Sequence, residues 1–203
     1  MTKKPTRRTQ KRSSRELEHT AYHEAGHAVM GRVLGIVCSD VNIVPDYGKR
    51  RRGVAIADSD PNDVWTNWQT QGKFREFDSA VRASIMLSMA GKEAELIQFG
   101  SHHGGDYDDE LQIALKREES EITDHQINYL RRKTRTMLLR HRQKVDHVAK
   151  ALLSVRTLTS EQIDALMAEK ITPRQRKIAK RIEAARKPDR DLYLARRPSV
   201  ERR

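Results

Sequence analysis

His23 and His27 stand four residues apart, with Glu24 directly after the first, in the run His23-Glu24-Ala25-Gly26-His27. On a helix, residues at that spacing lie one above the other on the same face, so the two imidazoles can grip one metal ion from a stiff support. Zinc suits such a pair, because it takes neutral histidine nitrogen at about 2.0–2.1 Å and tolerates an open coordination position. Zinc also brings water toward a pKa of about 7, and a carboxylate on the same face can take the proton that such water gives up. Glu24 is placed for that role, and the pattern is H-E-x-x-H. Two histidines on a buried helix with an incidental glutamate between them would read the same way, so the flanking sequence has to decide.

The flanks predict a helix. Ser13 and Glu16 have the spacing of a capping box, and Leu17, Ala21, Ala25, Ala28, Val29 and Val33 recur at helical intervals up to Gly35. Gly26 costs a helix interior about 1 kcal/mol relative to alanine, which makes sense if another backbone must approach the metal face. Residues 37 to 44 and 53 to 57 read as two short strands joined by a turn region. The edge of such a pair can hold an extended peptide by backbone hydrogen bonds; equally, it can be a plain hairpin covering the helix. Residues 61 to 77, with Trp65, Trp68, Phe74 and Phe77 among polar neighbours, read as a lid or as a loop anchored by aromatic packing.

The second half is helical in pattern. Residues 79 to 99 carry a broad apolar face, residues 100 to 105 interrupt it, and Asp106 opens a helix through Leu115. Residues 123 to 153 form one long helix or two consecutive ones, and Thr159 caps a short helix over 160 to 167. The sum is a mainly helical α+β domain, with a small β-hairpin or short sheet beside the metal-binding helix and a C-terminal helical bundle.

Charge divides the chain further. Of its 203 residues 36% are hydrophobic, and the formal net charge is +12. Residues 1 to 15 contribute +7 and residues 169 to 203 contribute +8, which leaves −3 for residues 16 to 168. A disordered basic arm over 1 to 15, a folded domain over 16 to 168 and a basic, partly helical extension over 169 to 203 are therefore expected. The single cysteine, Cys38, excludes an internal disulfide and fits a reducing, cytoplasmic setting. No apolar run reaches the 18 or so residues of a membrane span, and the charged start lacks the apolar stretch of a secretory signal.

The run from Ala21 to Val29, together with Met89-Ala90-Gly91-Lys92-Glu93-Ala94-Glu95 and Phe99-Gly100, resembles the peptidase domain of the FtsH family of zinc proteases. The resemblance covers roughly residues 17 to 115, and more loosely the helices to Met167. It implies a zincin-like domain that hydrolyses peptide bonds, with His23 and His27 on zinc and Glu24 as general base. It also implies a third ligand, an aspartate at the start of the helix after a glycine-rich loop. Candidates there are His102, His103, Asp106, Asp108, Asp109 and Glu110. The family's helix phase favours Asp106, which is followed by Tyr107, Leu111, Ile113 and Ala114 and departs from the pattern at Glu110, where the family has alanine. Asp109 fits better by distance from Ala90-Gly91 but leaves the apolar residues on the wrong side, and Glu110 would need glutamate as ligand. Glu95 is either a carboxylate behind a ligand histidine or a surface ion pair. His19, four residues before His23, reads as a surface histidine near the helix start, and His102 and His103 as a solvated turn or outer contacts of the site.

No G-x-x-x-x-G-K-[ST] phosphate loop occurs in the sequence. The family couples cleavage to ATP-driven unfolding, so a separate ATPase or adaptor partner, or unfolded and flexible polypeptide substrates, are expected. A rival from another class is a nucleic-acid-associated binding protein with a vestigial or structural metal site. Its basic tails would neutralise phosphates and give steep salt dependence, though they lack the interleaved aromatics or recognised fold of a nucleic-acid module.

Overall fold

The computed structural model describes residues 13–36, 38–44, 54–57, 60–73, 76–104 and 106–168, and part of 174–184. Seven helices and three short strands follow one another within them: α1 Ser14–Leu34, β1 Cys38–Asn42, β2 Val54–Ala57, α2 Pro61–Thr70, α3 Phe77–Phe99, α4 Tyr107–Glu119, α5 Asp124–Arg140, α6 Arg142–Val155, β3 Thr157–Leu158 and α7 Ser160–Met167. The fold is mainly helical α+β, as the hydrophobic pattern predicts. The basic arm over residues 1–12 and most of the extension over 169–203, on which nucleic-acid contact would rest, lie outside the described residues. Within 174–184 the described residues are helical, and Ile178 and Ile182 pack on the core.

Helix α1 is the centre of the domain. Its start is fixed by the expected capping box, in which the Glu16 N–H donates to Ser13 Oγ at 3.2 Å and the Ser13 N–H to Glu16 Oε2 at 3.0 Å. It ends at Gly35, whose φ of 74° is a left-handed cap that other residues adopt only under strain. Between these ends every residue from His19 to Gly31 is buried, because α1 is covered by α3, α6 and the sheet. The closest approach is to α3 at Gly26, where an added Cβ would lie 2.5 Å from the Ala90 carbonyl oxygen and 2.7 Å from Ala94 Cβ. Gly26 therefore offsets its helix penalty by letting two backbones meet.

The sheet has the order β2-β1-β3, both pairings antiparallel, with Val41 opposite Ala55 on one side and Leu158 on the other. The two-residue β3 returns from behind α6 and makes β1 the central strand, a third member that its length hides from pattern reading. A second departure concerns residues 61–70. They form α2, not a loop: Asp60 caps the helix through the Asn62 N–H at 2.8 Å, and Pro61 occupies a first-turn position where its missing N–H is harmless. Val64 and Trp68, one turn apart, are buried, and the Trp68 indole N–H closes on the Leu34 carbonyl at 3.2 Å. The predicted long helical stretch is two helices, α5 and α6, separated at His141.

Candidate metal centre

Three elements bring the site together. α1 supplies His23, Glu24 and His27, all buried; α3 supplies Gly91, Lys92 and Glu95; α4 supplies Asp109. The Nε2 atoms of His23 and His27 are 3.1 Å apart. Asp109 Oδ2 lies 3.1 Å from the first and 3.2 Å from the second. Among the described residues, His23, His27 and Asp109 are the group of side chains that could hold a metal ion.

Hydrogen bonds behind the rings fix their tautomers. His27 Nδ1 is 2.9 Å from the Leu87 carbonyl, which can only accept, so that nitrogen carries the hydrogen. His23 Nδ1 is 2.9 Å from Glu95 Oε1 and donates to it in the same way. Neutral rings so oriented turn two lone pairs toward each other and toward a carboxylate oxygen. Such a cluster is stable only around a cation, either a proton or a metal. Tetrahedral zinc with bonds of about 2.0–2.1 Å has ligand-to-ligand edges of about 3.3–3.4 Å, close to the three separations seen here. The donor set, two imidazoles and one carboxylate, is one that zinc accepts, so the residues fit the ion.

The protonation equilibria express the same convergence. Burial opposes charge on His23, but the hydrogen bonds to Asp109 and Glu95 outweigh it and raise its pKa to about 10. His27 is also raised: burial again opposes, and the Asp109 charge prevails. Asp109 shifts the other way, since the two imidazoles hold its carboxyl below the usual range in spite of burial. Glu24 follows His23 on α1, and its charge raises both imidazoles from close by.

Gly91 gives the rings their room. A Cβ at that position would fall 2.4 Å from His27 Nε2 and 2.5 Å from His23 Nε2. No side chain larger than hydrogen fits above the two nitrogens, which gives a physical reason for glycine in the Ala90-Gly91 step.

The carboxylate brought to the histidines is Asp109, not Asp106, which the helix phase favoured. Asp106 is the residue before α4 and turns to Lys92, with Oδ2 3.1 Å from Nζ; His102 Nδ1 is 3.7 Å away. Glu110 binds the same ammonium at 2.8 Å. Residues 106 and 110 share a helix face, and that face meets Lys92, so the turn of α4 presents residue 109 to α1. The physical reason for the difference is a tertiary ion pair, which a local phase count does not contain.

Glu95 is a buried carboxylate behind a ring, as one of its two readings held. Its Oε1 takes His23, while its Oε2 lies 2.7 Å from His19 Nδ1 and accepts the His103 backbone N–H at 2.9 Å. Burial pushes its carboxyl up, but the hydrogen bond and charge of His23 outweigh this and hold it below the usual carboxylate range. His19 is not on the surface: it is 2% exposed and stacks on Phe99 with ring centroids 4.1 Å apart. Its place four residues before His23 was the available signal, and what buries it comes from the far end of α3. Glu93, two residues before Glu95, is equally buried but faces Arg131 and Arg135 of α5, tying helices together away from the site.

No protein-family model matches the chain. Three curated relatives carry the description ATP-dependent zinc metalloprotease FtsH. The protein of Acholeplasma laidlawii is 26% identical over 209 residues, covering 81% of this chain and 31% of its own length. That of Streptococcus pneumoniae is 26% identical over 192 residues, covering 80% of this chain and 29% of its own. That of Staphylococcus haemolyticus is 24% identical over 207 residues, covering 83% and 28%. The chain thus spans about three tenths of the length of these relatives, and no helix of its described residues is long and apolar enough to cross a membrane. Over some four fifths of its own length this chain is similar to a stretch that makes up about three tenths of these FtsH proteins.

Proposed function

We propose that this domain is a zinc-dependent endopeptidase of zincin-like build, with His23, His27 and Asp109 holding the metal and Glu24 acting as general base. The observation that carries the reading is the convergence of two Nε2 lone pairs and one carboxylate oxygen within 3.2 Å of one another. When bound, zinc supplies Lewis acidity, polarising a carbonyl and acidifying water. The chain's own residues do the rest. His27 is held by the Leu87 carbonyl and His23 by Glu95, so both rings keep their Nε2 atoms aimed inward. Glu24 takes the proton of the attacking water on its carboxylate and returns it to the departing amine nitrogen. Helices α1 and α3 exclude bulk water from beneath the rings, which strengthens each of these interactions.

The sheet edge would take the substrate as an added strand. β2 is an outer strand of the described sheet and packs beside α1, and an extended peptide added there would be held by backbone hydrogen bonds. The substrates would be unfolded or flexible polypeptides in the cytoplasm, delivered by a separate ATPase or adaptor where folding must be undone. Zinc analysis and digestion of an unfolded protein by wild type and Glu24→Gln test the reading. One equivalent of zinc in both, with cleavage reduced at least about a hundredfold in the variant, is expected. Equal, chelator-insensitive cleavage by both would sink it.

A further inference from the structure

Asp106, Asp109 and Glu110 lie within about one helical turn, and any of the three could bind a divalent cation. We propose that Lys92 is a positioning residue that selects Asp109 as the metal ligand by tying Asp106 and Glu110 to α3; this rests on the zinc reading above. Successive residues of an α-helix are about 100° apart around its axis. Asp106 and Glu110, four residues apart, therefore point together at the Lys92 ammonium, while Asp109 is turned toward the histidines. A rotation of α4 by one residue would bring Glu110 to the rings in place of Asp109. The two ion pairs, at 3.1 and 2.8 Å, resist that rotation.

The same division appears on α3. Gly91 lies over the Nε2 atoms of His23 and His27, and Lys92, the next residue, faces α4. One helix thus admits the rings at one position and fixes the carboxylate-bearing helix at the next. Asp106 shows what the arrangement replaces. As the N-cap of α4 it makes no side-chain cap hydrogen bond, the usual role of aspartate there, and turns to Lys92 instead. The lysine also neutralises one of two surplus negative charges that would otherwise compete for the ion.

At Lys92 charge and position act with opposite signs, which makes the proposal decidable. Removing a lysine's positive charge near a cation site should by itself strengthen cation binding. Loosening α4 should weaken it. Zinc affinity is read by competition with a chromophoric chelator, and the visible absorption of the cobalt(II)-loaded protein reports the ligand set. The variants are Lys92→Met, Lys92→Arg and the pair Asp106→Asn with Glu110→Gln, which leaves the lysine in place, each checked by circular dichroism. We expect Lys92→Met and the double variant to bind zinc about 10- to 100-fold more weakly, with an altered cobalt spectrum. Lys92→Arg, whose fork can span both carboxylates, should stay near wild type. Wild-type affinity and spectrum in Lys92→Met or the double variant overturn the proposal, as does tighter zinc binding by Lys92→Met. A loss in Lys92→Arg equal to that in Lys92→Met also overturns it. If Lys92→Met does not fold, the cobalt spectrum of the double variant decides, because loss of two carboxylates weakens cation binding by charge alone whereas only a turned α4 changes the ligand set. A wild-type protein that takes up no zinc overturns the metal reading and this inference with it; zinc-binding wild type with unchanged variants overturns this inference alone.

Discussion

Glu95 holds two histidines one turn apart on α1, and the two have different fates. Both present Nδ1 to its carboxylate, His19 at 2.7 Å and His23 at 2.9 Å. The other nitrogen separates them. His23 Nε2 meets His27 and Asp109, whereas His19 Nε2 is buried with no hydrogen-bond partner beside a ring stacked on Phe99. A carboxylate behind an imidazole therefore does not by itself place the ring in a cluster that could hold a metal. What makes one is a second and third donor in front of it. His19 serves to hold Glu95, and one orphan nitrogen accompanies that service.

The comparison breaks most sharply at the front of the site. His23→Leu and Asp109→Ala should each abolish zinc binding measured by metal analysis, while Asp106→Ala loses no more than about 100-fold. Full zinc in Asp109→Ala would move the third ligand elsewhere. Next is Glu95→Gln, which weakens the support of both histidines at once: zinc affinity should fall about 10- to 100-fold. Titration calorimetry showing no change would mean that the ring orientations do not depend on the carboxylate.

A smaller effect sharpens the difference through pH. In metal-free protein His23 has a folded pKa of about 10 against 6.5 unfolded. The charged ring therefore stabilises the fold fully below pH about 6.5, and this is lost as pH rises through about 10. Denaturation of metal-free wild type should follow that slope. A shallower slope in His23→Leu, leaving the part that the raised His27 contributes, and an unchanged slope in His19→Leu are the expected outcome; an unchanged slope in both would erase the contrast. The smallest effect is on the stability of His19→Leu. It loses a charge-assisted hydrogen bond and removes a buried orphan nitrogen, terms of similar size and opposite sign, so stability should move by less than about 1 kcal/mol. Chemical denaturation giving a loss of several kcal/mol would show that His19 is more than a support.

How legible each part is from sequence follows how local its determinants are. The capping box at Ser13 and Glu16, the ring spacing of His23 and His27, and the small residue at Gly26 are set within one helix, and the sequence carries them. α2 was also locally written, in Asp60-Pro61 and the Val64–Trp68 spacing, but the polar and aromatic mixture hid it. Asp109 and His19 were not legible in the same way. The first is chosen by the rotation of α4 against Lys92, and the second is buried by Phe99, so both depend on contacts between distant segments. β3, at two residues, is too short to carry a period at all.

The sheet order has a bearing on the time course of synthesis. β1 emerges early, yet its partner β3 is made only after α6, and the His23 ring gains Asp109 from a residue 86 positions further along. A chain growing from its N-terminus at about 5–20 residues per second therefore carries both histidines for several seconds before any carboxylate of α4 exists to join them. The cluster of two imidazoles and a carboxylate cannot assemble until α4 has been added, and until then the nascent chain carries the histidine pair without its third donor.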